Sequence, residues 1–238
     1  MSKGRLNNLP IILYSCLLLA VWLYSWIRSV VALLCGEATE TLLASSDGVR
    51  WFLRSSIDSV DRIPWAMIVI LLMCSGVLSS CGLLSVAGRL LRGETSMRMR
   101  RALWTTLVAV VIMSLLLMFA ALYPLNIFRS VSGGFASSPV AEGWPLVFYV
   151  VLFFLSAVFG VVGGAFKGVD DVVEAISSRI KFHACSLVAL VPAALLLASM
   201  EYEGIMDMLF GDFYPFFEFF LVTFPFAYRL FSFNRNKG

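Results

Sequence analysis

The chain has 238 residues, 60% of them hydrophobic and 14% charged, with a formal net charge of +3 and a mean hydropathy of +0.90. A soluble domain holds roughly 45–50% apolar and about 25% charged residues. The composition therefore excludes a water-soluble domain as the bulk of the chain and points to an integral membrane protein.

A helix that crosses about 30 Å of hydrocarbon at about 1.5 Å per residue needs roughly 20 mainly apolar residues. In chain order, Leu9 to Cys35, Pro64 to Gly88, Ala102 to Ile127, Trp144 to Phe166 and Phe182 to Met200 meet that requirement. A sixth stretch, Phe213 to Leu230, is short, Phe-rich and broken by Pro215 and Pro225. The expected fold is all-α: a polytopic membrane protein of about six transmembrane helices, a single transmembrane domain over 1–238 with no internal repeat. Lys3 and Arg5 give the first stretch the look of a signal peptide, but its apolar run exceeds the usual signal core and no small-x-small site follows it. It reads as a retained span.

Two segments carry a helical period without enough apolar length to span. Between the first two spans, 47–60 sets Val49, Phe52, Leu53, Ile57 and Val60 on one face and Arg50, Arg54 and Asp58 on the other, with Trp51 suited to the headgroup zone. After the fourth span, 168–180 sets Val169, Val172, Val173, Ile176 and Ile180 on one face, with Asp170, Asp171 and Glu174 early and Arg179 and Lys181 late, the order the helix dipole favours. Both are expected to be surface helices, the second lying flat on the membrane. Small residues mark packing: Ser156, Gly160 and Gly164 at four-residue spacing form a strip that would let another backbone approach closely, and Gly76 and Ser80 belong to a dense run of small residues in the second span.

Orientation follows from the loops. With both termini in the cytoplasm, only Arg28, Arg50, Arg54, Arg62 and Arg129 of the 18 Lys and Arg fall outside, the positive-inside bias. The turn Arg89 to Arg101 carries five arginines; it anchors topology or meets anionic headgroups. The loop Asn126 to Gly143 reads as a flexible turn. Cys16, Cys35, Cys74, Cys81 and Cys185 are odd in number and imply no disulfide framework, and His183 has no neighbour at metal-ligand spacing, so neither a metal nor a cofactor is expected. No catalytic constellation and no nucleic-acid motif is present.

Two charges need an account. Glu218 lies about 7 Å into the last span by helical rise: it is either a proton-binding or partner-pairing carboxylate, or it reaches the headgroup zone. Arg28, near the outer end of the first span, either snorkels or pairs with a carboxylate, Glu218 being the candidate. Ten of the 20 phenylalanines fall between Phe210 and Phe233, a surface that lipid or another membrane protein would cover.

Several stretches resemble the AbgT transporters, named for uptake of p-aminobenzoyl-glutamate. They are Asn7-Asn8-Leu9-Pro10 before the first span, Leu42, Leu43, Gly48, Arg50, Trp51 and Phe52, then Gly76 with Gly82-Leu83-Leu84, and Ser138-Pro139, Pro145, Phe159-Gly160, Lys167, Asp171 and Val172. Together they run over roughly two thirds of the chain in the order of that family, whose members are about twice this length. The family's re-entrant hairpins and polar broken helices have no counterpart here, so the resemblance implies its outer scaffold without its transport core. A non-catalytic scaffold or accessory subunit of a bacterial inner-membrane complex is the reading that follows, its partners being lipid, other membrane subunits or a second copy. A minimal transporter or channel for a small organic solute is the alternative.

Overall fold

The computed structural model describes residues 8–35, 42–83, 85–86, 96–121 and 139–235. Among them every regular element is helical: α1 (Leu9–Cys35), α2 (Ser46–Asp61), α3 (Trp65–Ser80), α4 (Met97–Ala121), α5 (Pro139–Gly163), α6 (Val169–Tyr202), the short α7 (Ile205–Leu209), a 3-10 turn (Gly211–Phe213) and α8 (Tyr214–Arg235). Six helical stretches are long and apolar enough to cross a membrane, the one from Ser46 to Ser80 joining α2 and α3. The chain is a polytopic all-α membrane protein.

Local chemistry sets the helix ends. Ser45 caps α2: its hydroxyl accepts the Gly48 N–H at 3.1 Å and donates to the Leu42 carbonyl at 2.7 Å. Pro64 disfavours a helical conformation at Ile63, so α2 stops before α3 begins. Gly82, at φ 78°, follows the end of α3, which is therefore shorter than the expected span to Gly88. At the end of α5, Gly164 takes φ 79° and the N–H groups of Ala165 and Phe166 fold back on the Gly160 carbonyl at 2.8 and 3.0 Å. The continuation of the third span to Ile127 lies outside the described residues, as do Arg89, Arg92 and most of the loop before α5. Pro139 to Gly143, expected in a flexible turn, are helical.

Two expectations are corrected. The segment 168–180 is not a separate helix lying flat: it is the first part of α6, a continuous helix of 34 residues. No Gly or Pro stands between Val169 and Val191 to interrupt the ladder, so the surface-type pattern runs into the span. Nor is the last span broken by its prolines. Pro215 sits in the first turn of α8, where a missing N–H costs nothing. Pro225 lies inside the helix and deprives the Leu221 carbonyl of its usual donor four residues on, and the Tyr14 hydroxyl donates to that carbonyl instead at 2.7 Å.

Contacts divide the chain into two compact units, Met1–Pro64 with His183–Gly238, and Trp65–Phe182. In the first, the second part of α6 is the centre. Ala189, Ala193, Leu196, Leu197 and Met200 form one buried face with Tyr14, Val21, Leu43, Met206 and Leu221 around it, and Ala194 and Ala198 are buried as well. Alanines at these positions let neighbouring backbones come close. The Ser186 hydroxyl also donates to the Pro225 carbonyl at 2.9 Å, so the proline region of α8 is held from both α1 and α6.

In the second unit, α5 packs on α3 and α4 around Val77, Cys81, Ala102, Phe159, Phe166 and Ala175. The fits are steric. A Cβ on Gly76 would stand 2.7 Å from the Ala175 carbonyl oxygen, so α3 and the first part of α6 meet backbone to backbone there. The Cys74 thiol donates to the Tyr149 carbonyl at 3.1 Å, which links α3 to α5.

Candidate functional site

Four charged side chains of the first unit, Arg28, Arg62, Glu201 and Glu203, meet at one end of α6. Glu203, in the turn after that helix, has a fully buried side chain, and its carboxylate meets Arg28 of α1 at 3.4 Å while also accepting the Leu43 backbone N–H at 2.5 Å. Beside it, buried Ser25 accepts the Ala44 N–H at 2.9 Å. Two side chains, a carboxylate and a hydroxyl, thus take two successive N–H groups of the turn that leads into α2. Gly48 completes the fit: a Cβ there would fall 2.3 Å from the Leu42 carbonyl oxygen and 2.5 Å from that of Leu43.

A second charged group lies alongside. Arg62, at the end of α2, pairs with Glu201 at 2.5 Å, both side chains about half exposed. Arg62 also lines a small, partly open void of about 20 Å³ with Ser59, Ile63, Tyr214, Glu218 and the α6 residues Ala194, Leu197 and Ala198. That is room for about one water, and the polar groups to hold it are present. Glu218 therefore faces Arg62 and Tyr214. Of the two readings of Arg28, snorkelling or pairing with a carboxylate, the structure shows a pairing, but with Glu203, just past α6 and level with Arg28, and not with Glu218.

The packing candidates fall elsewhere. Ser156 is fully buried and donates to the Leu152 carbonyl at 2.7 Å. Gly160 does not receive a foreign backbone. It lies under the ring of Phe166, 2.2 Å from where its Cβ would be, with the Cys81 Cβ at 3.2 Å. Gly164 lies against the Arg98 guanidinium, and its left-handed conformation ends α5. Ser80 lines an open cleft of about 420 Å³ with Lys167, Asp171, Glu174 and Ser178; within it Asp171 accepts the Lys167 N–H at 2.6 Å and closes the start of α6.

Apart from Tyr14 and Ser186, which donate to carbonyls of α8, many hydroxyls along the spans bond to their own helices. Ser75, Ser79, Ser156, Ser199 and Thr223 donate to the carbonyls of Leu72, Gly76, Leu152, Leu195 and Phe219 at 2.7–3.0 Å, and Ser114 and Thr106 do the same at 2.8 Å. Among the described residues no group of three or more His, Cys, Asp or Glu is placed to hold a metal ion.

Sequence reasoning missed Glu203, Glu201, Ser25 and Tyr14 as structural anchors. For Tyr14 half a signal exists, since a proline inside a helix leaves a carbonyl four residues earlier in need of a donor. For Glu203, 175 residues from Arg28, there is none. Compared with protein-family models, with curated proteins and with solved structures, the chain has no match.

Proposed function

We propose that this protein is a non-catalytic scaffold or accessory subunit of a bacterial inner-membrane complex, with both termini in the cytoplasm, built on a reduced AbgT-like scaffold. The observation that carries the reading is how the polar groups of the spans are used. Ser75, Ser79, Ser156 and Ser199 are engaged by carbonyls of their own helices, Tyr14 and Ser186 by carbonyls of a neighbouring helix, and the buried carboxylate Glu203 holds a turn of the chain in place together with Arg28. A solute site in lipid needs fixed oxygens and donors aimed into a shared space near the midplane. Groups bound to their own backbone serve the helix instead. The distribution of Lys and Arg supports the orientation.

One observation favours the second reading, a minimal transporter or channel: Glu218 lines a small void with Arg62 and Tyr214. Purified protein in sealed vesicles separates the two. The scaffold reading expects flux of protons and of p-aminobenzoyl-glutamate equal to that of empty vesicles. A flux that Glu218→Gln abolishes would contradict it and establish the second.

A further inference from the structure

The side of α2 turned away from its own unit carries two stripes. Inward, the helix is fixed: Trp51 stacks on Tyr202 with ring centroids 4.2 Å apart, Phe52 meets Trp22 edge-on at 5.3 Å, and Gly48 and Ser59 are buried. Outward, Val49, Leu53 and Ile57 stand one turn apart and are 38%, 70% and 79% exposed. One residue on, about 100° round the helix, Arg50, Arg54 and Asp58 form a parallel, exposed stripe. The single apolar face read from the sequence is thus divided, with Phe52 turned inward and Leu53 and Ile57 outward. A helix that shows an apolar and a charged stripe side by side is matched by a medium that is apolar on one side and aqueous on the other, the boundary of a bilayer.

The contacts of α2 also fix its level. Ala44 on Ser25 and Phe52 on Trp22 set it beside residues 22–25 of α1, and Trp51 on Tyr202 sets it at the end of α6. Beyond Ser25, α1 continues for ten residues to Cys35, about 15 Å at helical rise. Were all of α1 in hydrocarbon, Arg50, Arg54 and Asp58 would lie there too, at on the order of 2–3 kcal/mol or more each. The boundary therefore passes near Arg28, which at helical rise is about 30 Å along α1 from Leu9, and Leu33 and Leu34 reach into the headgroup zone.

We propose that α2 is inserted into one leaflet of the bilayer, with Val49, Leu53 and Ile57 against acyl chains and Arg50, Arg54 and Asp58 at the level of the lipid phosphates, and that it fixes the depth of the first unit. The occupant of the apolar stripe is lipid. A leaflet boundary offers acyl chains to the apolar stripe and headgroup charges of both signs to Arg50, Arg54 and Asp58 beside it. This inference is independent of the scaffold reading.

The test uses the full chain with exposed Cys16 and Cys35 replaced by serine, single cysteines introduced by Leu53→Cys, Ile57→Cys, Arg50→Cys and Arg54→Cys, and a polarity-sensitive fluorophore. The protein is placed in phosphatidylcholine vesicles containing brominated lipid, with the serine background labelled in parallel to subtract Cys185. All four positions are exposed, so the substitutions leave the packing intact. Labels at 53 and 57 should be blue-shifted and quenched roughly threefold more by brominated lipid than labels at 50 and 54, which should respond to aqueous iodide. Iodide quenching at all four positions would overturn the proposal. So would shielding of 53 and 57 from both quenchers, which would put a protein surface or a second copy there.

Discussion

The two units hold themselves together by different means. In the first, distant segments are tied by polar groups: Tyr14 to the Leu221 carbonyl, Ser186 to that of Pro225, Glu203 to Arg28 and the Leu43 N–H, Arg62 to Glu201. In the second, the joints are places where a side chain is missing, Gly76 against the Ala175 backbone and Gly160 under Phe166. Lipid is as apolar as leucine, so helices gain little from burying leucine alone. Specific hydrogen bonds and close approach are the two remaining ways to choose a partner, and each unit relies mainly on one.

The largest effects come from bulk in the tight steric sites, Gly48 at a turn of the first unit and Gly160 in the second. Gly48→Ala places its Cβ against backbone atoms that cannot rotate away, so we expect a loss of roughly 2–3 kcal/mol or failure to accumulate, read by thermal unfolding in detergent. Gly160→Ala meets a side chain instead. It should cost about 1–3 kcal/mol alone, and Phe166→Ala in the same chain should recover much of the clash term. Absence of coupling between 160 and 166 would break the steric account of the second unit.

Next come the polar ties. Glu203→Ala leaves the Leu43 N–H without its acceptor and Arg28 without its carboxylate, and should destabilise by about 1–3 kcal/mol; Glu203→Gln keeps an acceptor for Leu43 and should fall between. Tyr14→Phe should cost roughly 0.6–1.7 kcal/mol, the range of interhelical hydrogen bonds in membranes. With Pro225→Ala the restored N–H serves the Leu221 carbonyl, and the effect of Tyr14→Phe should then nearly vanish. The smallest effect belongs to Arg62→Ala, whose half-exposed pair with Glu201 should contribute at most about 1 kcal/mol, less at high salt.

Hydropathy carried much of the architecture because the constraint behind it is simple: a long apolar run must be helical in lipid. That made α1, α4, α5 and the α2 surface pattern legible. Continuity was not. The change from charged to apolar at Lys181 and Phe182 looks like a boundary between elements, yet the backbone has no residue there that stops a helix, and α6 runs through it. Gly160 shows a second gap. Four-residue spacing correctly marks a thin place on a helix, but it does not say what fills that place, and here it is Phe166 from six residues on, returned by the turn at Gly164. For the charges, Arg28 could snorkel or take a counter-charge, and the sequence leaves ten acidic residues of the first unit to choose from; the choice fell to Glu203 because the turn after α6 brings it, and not Glu218, to that level.

The central claim, that the protein serves as a subunit of a larger membrane assembly, is tested most directly by extracting it with a tag from bacterial membranes in a mild detergent or polymer disc and quantifying by mass spectrometry what migrates with it. The account predicts one or more other membrane proteins at a fixed stoichiometric ratio, retained when the preparation is diluted. Migration alone or only with itself, in a preparation that keeps its lipid, would contradict it.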